Sequence, residues 1–155
     1  MAGQPIGRVA LMSIRPEFAS QILAGTKHVE FRKRRLADDV THVVLYASAP
    51  ISAVVGAFRI NGQDTRPPRD LWEHFAKVAG ICRSRYTQYF EGHSLATGII
   101  ISDVRLSKSP VQLRDIGLGR PPQSFQYLLP KVATRLWTAM EPVCVGEPPR
   151  RDSLG

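Results

Sequence analysis

Three extended segments follow one another with too little chain between them for a helix: HVEFRKR (28–34), HVVLYAS (42–48) and AVVGAFRI (53–60). β-Branched and aromatic residues mark them as strands, the first by its alternation. Strands joined this closely pair antiparallel, because a parallel pairing needs a long crossover. The chain is therefore expected to be α+β, with a mixed, mostly antiparallel sheet curled into a small barrel and flanked by helices. A doubly wound sheet does not fit this order.

The remaining chain supplies the flanking helices. RVALMSI (8–14) reads as a buried strand, and Pro16 opens a helix carrying Phe18, Ile22 and Leu23 on one face. Gly25 ends that helix. Gly56, inside a strand, marks a bulge or a close backbone approach. NGQDTRPP (61–68) reads as a loop from its Gly, Asp and Pro. RDLWEHFAKVAG then forms an amphipathic helix stopped at Gly80, and SRYTQYFEG a shorter one. Trp72, Tyr86, Tyr89 and Phe90 lie at helical spacing and read as core before they read as base-stacking platforms. Residues 96–113 form a long strand region interrupted near Ser107–Pro110, and Pro130 opens a last helix over 130–140. No repeat or internal boundary divides the chain, so one domain is expected over 1–145, with a disordered polar tail over 146–155.

A net charge of +8 and a pI near 10.1 point to a polyanionic partner, nucleic acid before a membrane surface. No apolar run approaches the ~20 residues of a spanning helix, and MAGQPIGRVALMSIRP lacks the apolar stretch of a secretory signal. A cytoplasmic protein with no membrane partner is expected. Cys82 and Cys144 lie far apart with no CxxC pair, which argues against a zinc ribbon or a disulfide framework. His28, His42, His74 and His93 have no ligand spacing, and Asp38, Asp39 and Asp64 read as solvated loop carboxylates. No metal and no cofactor is expected.

The chemistry concentrates in LAGTKHVEFRKRR (23–35). Period-two alternation puts His28, Glu30, Arg32 and Arg34 on one face of the strand and turns Val29 and Phe31 to the core. Lys27 sits at the turn, where parity does not set its direction. A carboxylate among these cations stays ionised and holds them in place. The group can bind phosphate or read a base edge through arginine. It can move protons if Glu30 or Lys27 is desolvated. It can equally be an exposed ladder of ion pairs that contributes little. Spacing alone leaves these open.

The segment SIRPEFASQILAGTKHVEFRKR resembles the ASCH domain, a PUA-like small β-barrel, whose signature G-x-K-x-x-E-x-R is matched by Gly25, Lys27, Glu30 and Arg32. The flanks LMSIRP and VVLYASAPISAVVGAF, with YTQYFEG and PPQSFQYL, resemble the bacterial and archaeal branch described as predicted transcriptional regulators. The resemblance spans about residues 8–128. It implies a cleft that binds RNA or a modified base and is lined by Lys27, Glu30 and Arg32. Arg15 emerges beside it at the end of the first strand. Tyr46 and Ser48 are expected to add stacking and hydrogen bonding, and Gln123 and Ser124 to read a base edge. The implied function is nucleic-acid binding, RNA before DNA, with a regulatory role in view. The alternative is a hydrolase of RNA or a modified nucleoside with Lys27 and Glu30 as acid and base. A branch similar to amidohydrolases of acetylated cytidine carries Thr where this chain has Glu30, which argues against that activity. Another branch is similar to metal-dependent ribonucleases, but this chain offers no dedicated metal cluster. A third reading is a nucleotide sensor without a helix-turn-helix. Oligomeric state stays open.

Overall fold

Eleven principal elements run through the computed structural model, which describes residue 5 and residues 7–143. They are β1 (Arg8–Ile14), α1 (Pro16–Leu23), β2 (Val29–Arg32), β3 (Val40–Ala47), β4 (Ala53–Arg66), α2 (Pro68–Phe75), α3 (Arg83–Tyr89), β5 (Ala96–Val111), β6 (Phe125–Tyr127), α4 (Pro130–Ala139) and β7 (Glu141–Pro142). Short 3₁₀ turns cover Ala76–Val78 and Leu113–Ile116. The expected tail and Cys144 lie outside the described residues. No helix among the described residues is long and apolar enough to cross a membrane.

The strands form one curled sheet in the order β2-β5-β4-β3-β1-β6, with β7 added to β5. Among the described strands only β1 and β3 run parallel, because α1 and β2 carry the chain between them. The sheet is a half-barrel. Its ends, β2 and the β1–β6 pair, are joined not by a backbone ladder but by side chains.

Both faces of the sheet are covered. Ala10, Met12 and Ile14 of β1 join Val43, Leu45, Phe58 and Ile99 on the inner face, sealed by Ala19 and Ile22 of α1. Val9 and Leu11 turn outward with Val44 and Ala57 onto Leu136 and Trp137 of α4. At the other end of the sheet, Val29 and Phe31 pack outward against Leu71, Tyr86 and Phe90. Strands buried on both faces need no alternation, which is why β1 and β3 read as continuous apolar runs.

The segment expected as a loop at 61–68 is instead the second half of β4 as far as Arg66. Its polar residues are held by side-chain bonds rather than apolar burial. The Gln63 side chain accepts from Leu36 N–H at 2.9 Å and donates to Leu36 O at 3.1 Å. Thr65 bonds Thr97 at 2.9 Å, and Arg66 bonds Asp64 at 2.8 Å. The interruption expected at Ser107–Pro110 is a register shift: Val54 pairs with Val111 but Gly56 with Leu106. Gly56 sits at that shift, where a Cβ would lie 2.5 Å from the Arg105 carbonyl.

His42 is 3% exposed on the outer face, edge-on to Trp137 at 4.5 Å. Its Nδ1 faces Thr41 Oγ1 at 2.8 Å, while Nε2 has no partner among the described residues. Burial above all, then the nearby Arg59, pushes its pKa down to about 4. A depressed folded value means the unfolded chain takes the proton first, so stability falls as pH drops from about 6.5 toward 4. Between pH 7 and 4.5 the protein is expected to lose about 2–3 kcal/mol more than a His42→Phe variant, read by urea denaturation at both pH values. Equal losses in the two proteins would refute this.

Candidate functional site

A cavity of about 430 Å³ opens at the seam between β2 and β1, roofed by α1 and α3. Local sequence explains the floor. Gly25 takes φ +78° and turns the chain out of α1, so Lys27 enters just before β2 begins. Glu30 and Arg32 pair with Ile99 and Thr97 of β5. They therefore point to the inner face, while Val29 and Phe31 fill the outer core.

Glu30 is flanked by both cations. Its Oε1 lies 3.3 Å from Arg32 Nε and its Oε2 3.9 Å from Lys27 Nζ. Lys27 and Glu30 are 3% and 6% exposed, so this is a buried triad and not a solvated ladder. Lys27 Nζ donates to the Ala79 carbonyl and lies 5.0 and 5.3 Å from the ring centres of Phe18 and Phe31. Its stem passes under Gly80 at φ +66°, where a Cβ would come within 2.9 Å of the Lys27 side chain. Burial lowers the Lys27 pKa; Glu30 opposes that shift and Arg32 adds to it.

Arg32 closes the seam. Its Nη2 donates to the Ser13 carbonyl at 2.8 Å, and its Nη1 reaches Ser124 Oγ at 3.5 Å. The Ser124 loop is tied down by Ser13, whose N–H donates to Ser124 O at 3.0 Å and whose Oγ donates to Pro122 O at 2.5 Å. Two buried atoms of the triad, Glu30 Oε2 and Arg32 Nε, have no hydrogen-bond partner among the described residues.

Of the residues expected from sequence, Arg15, Lys27, Glu30 and Arg32 line this one cavity. Ser124 touches it through Arg32, and Gln123 is exposed on the same loop. Tyr46 lies elsewhere. It is 5% exposed and packs outward with Val44 and Trp137, because β3 turns its even-numbered side chains to α4. Ser48 follows β3 in the turn, where its N–H bonds the Ile14 carbonyl, and it does not line the cavity.

The wall contributed by α3 was not assigned from sequence. Tyr86 and Tyr89 line the cavity beside Gln88 and Arg85. Tyr86 is both core and wall. Its hydroxyl donates to Pro68 O at 2.6 Å, and burial pushes its pKa up to about 12. Tyr89 is 39% exposed at the rim, with Lys33 Nζ 4.6 Å from its ring centre. Arg85 is held by both carboxylate oxygens of Glu17 at 2.8 and 3.2 Å. The aromatic spacing on α3 carried that signal, but the same spacing describes a core helix. Among the described residues, no group of three His, Cys, Asp or Glu side chains could hold a metal ion. Cys82 is an exposed free thiol.

No family model matches the chain. It is similar to an ASCH domain-containing ribonuclease of Zymomonas mobilis, 32% identical over 133 residues that cover 83% of this chain and 89% of the relative. The crystal structure of ASCH from Zymomonas mobilis superposes with a TM-score of 0.75 at 28% identity, over 86% of this chain and 96% of that one. A serine-to-alanine mutant of the same protein superposes with a TM-score of 0.78 at 27% identity, over 88% and 99%. With most of both chains matched in sequence and the half-barrel matched in structure, this chain belongs to the ASCH domain family.

Proposed function

We propose that the domain binds single-stranded RNA by taking one nucleotide into the seam cavity. The observation that carries this reading is the buried Lys27–Glu30–Arg32 triad lining a cavity of nucleotide size. Exposed Arg15, Lys33 and Arg34 stand ready for phosphates, and the Tyr89 ring for stacking. The ribonuclease relative supports RNA over DNA as the polymer. The reading is tested with an uncleavable 2′-O-methyl oligonucleotide. Three phosphate contacts predict that log affinity falls with log salt at a slope of about −2, and that Arg32→Ala weakens binding. A flat salt dependence would end the proposal.

A second reading, cleavage, is favoured by Lys27. Its lowered pKa beside a carboxylate suits proton exchange. In this reading Glu30 takes the proton of the 2′-hydroxyl as O2′ bonds to phosphorus. Lys27 gives a proton to the departing 5′-oxygen as the P–O5′ bond breaks, and Arg32 holds the charge on the phosphoryl oxygens. The products are a 2′,3′-cyclic phosphate and a 5′-hydroxyl end.

A further inference from the structure

A second groove of about 500 Å³ lies on the far side of α3 from the seam cavity. Tyr86 belongs to both. The helix divides its side chains between them: Arg85, Gln88 and Tyr89 face the seam cavity, and Arg83, Thr87 and Phe90 face the groove. Across the groove α2 contributes Arg69 and Trp72. Trp72 is half-buried, with its ring centre 4.8 Å from that of Tyr86, which braces it on one side.

The charge of the groove is unbalanced toward cations. Arg83 is exposed and makes no ion pair among the described residues, and Arg69, its side chain 83% exposed, meets Glu73 only at 3.8 Å. Among the described residues Glu91 is the single carboxylate in the lining, opposite two arginines and His93. An aromatic face flanked by exposed guanidinium groups fits a base and its phosphates. It does not fit an apolar peptide. A helix with its side chains is about 10–12 Å wide, so a strand leaving the seam cavity must cross α3 to reach this groove.

We infer that the α2–α3 groove is a second nucleotide subsite, which takes a base against Trp72 and phosphates on Arg69 and Arg83 of an RNA strand that places another of its nucleotides in the seam cavity. This rests on the RNA reading above and adds to it a direction for the strand and a minimum ligand length. Mononucleotides use the seam cavity alone; oligonucleotides use both.

The test measures fluorescence anisotropy of a 2′-O-methyl hexanucleotide and displacement by a mononucleotide. Wild type is set beside Arg69→Glu/Arg83→Glu and Trp72→Leu. Arg114→Glu/Arg135→Glu, which places the same charge change on exposed residues outside both sites, is the control. The groove double variant is expected to lose about tenfold or more in hexanucleotide affinity with mononucleotide affinity unchanged. Trp72→Leu is expected to lose about tenfold on the hexanucleotide, and the charge control little. Since Trp72 packs on Tyr86, the surface arginine variant keeps the test valid if Trp72→Leu misfolds. Hexanucleotide affinity that survives the groove double variant, or falls equally in the control, overturns the subsite. In that case the seam reading stands if Arg32→Ala weakens both ligands. If Arg32→Ala weakens neither, the seam reading fails and this inference fails with it.

Discussion

Glu30→Ala is expected to lower the unfolding free energy by about 3–5 kcal/mol, the range for breaking a buried ion pair from one side. Among the described residues Glu30 is the only acidic one lining the cavity, and it faces two cations that are themselves largely buried. Removing it leaves Lys27 and Arg32 with carbonyl and hydroxyl partners alone. Lys27 can relieve part of the cost by losing its proton, since Glu30 is the group that raises its pKa. Lys27→Met is milder, because Glu30 keeps Arg32 and the methionine stem fills the channel between Phe18 and Phe31. The double variant Glu30→Ala/Lys27→Met is therefore expected to recover a large part of the Glu30→Ala loss, a coupling that urea denaturation of all four proteins reads directly. A Glu30→Ala loss below about 1 kcal/mol would place the triad among ordinary exposed pairs.

Lys27→Met carries the largest expected effect on activity. If the domain cleaves RNA, the rate on end-labelled RNA in denaturing gels is expected to fall about 10²–10⁴-fold, while binding of 2′-O-methyl RNA in native gels is retained. The pH dependence tests the role and not only the residue. An acid must be protonated to act, so the wild-type rate falls as pH rises through the Lys27 pKa. Burial places that fall below lysine's ordinary 10.5. Glu30→Gln removes the charge that raises this pKa, and so moves any residual limb to still lower pH. Cleavage at the wild-type rate by Lys27→Met would exclude Lys27 as the acid. RNA bound but never cut by wild type would leave the binding function alone.

The floor of the site was legible in the sequence because β2 alternates. Once Val29 and Phe31 were assigned to a core, Glu30 and Arg32 had to share the other face. Tyr46 was not legible for the opposite reason. Residues 42–47 of β3 are all buried, so their pattern has no period from which to choose a face. The second half of β4 escaped because its ladder is supported by Gln63, Thr65 and Arg66 side chains, a mechanism that leaves no apolar signature. Lys27 needed the structure. Its burial depends on the Ala79 carbonyl, 52 residues away in the chain. The two-sided role of α3 also depends on contacts that spacing within the helix does not reveal.

The seam has a consequence for when the site comes into being. Ser13 and Pro122 are 109 residues apart in the chain, and Arg32 and Ser124 are 92 apart. Closing contacts of such separation is slow, and it waits for the later segment to exist. A nascent chain that has released β1, α1 and β2 already holds the whole G-x-K-x-x-E-x-R motif, yet it lacks β5 to pair with β2 and the Ser124 loop to cover β1. The cavity around the motif therefore forms only when nearly the whole domain has left the ribosome. During synthesis, the order of the chain itself keeps the cavity from forming beside ribosomal RNA.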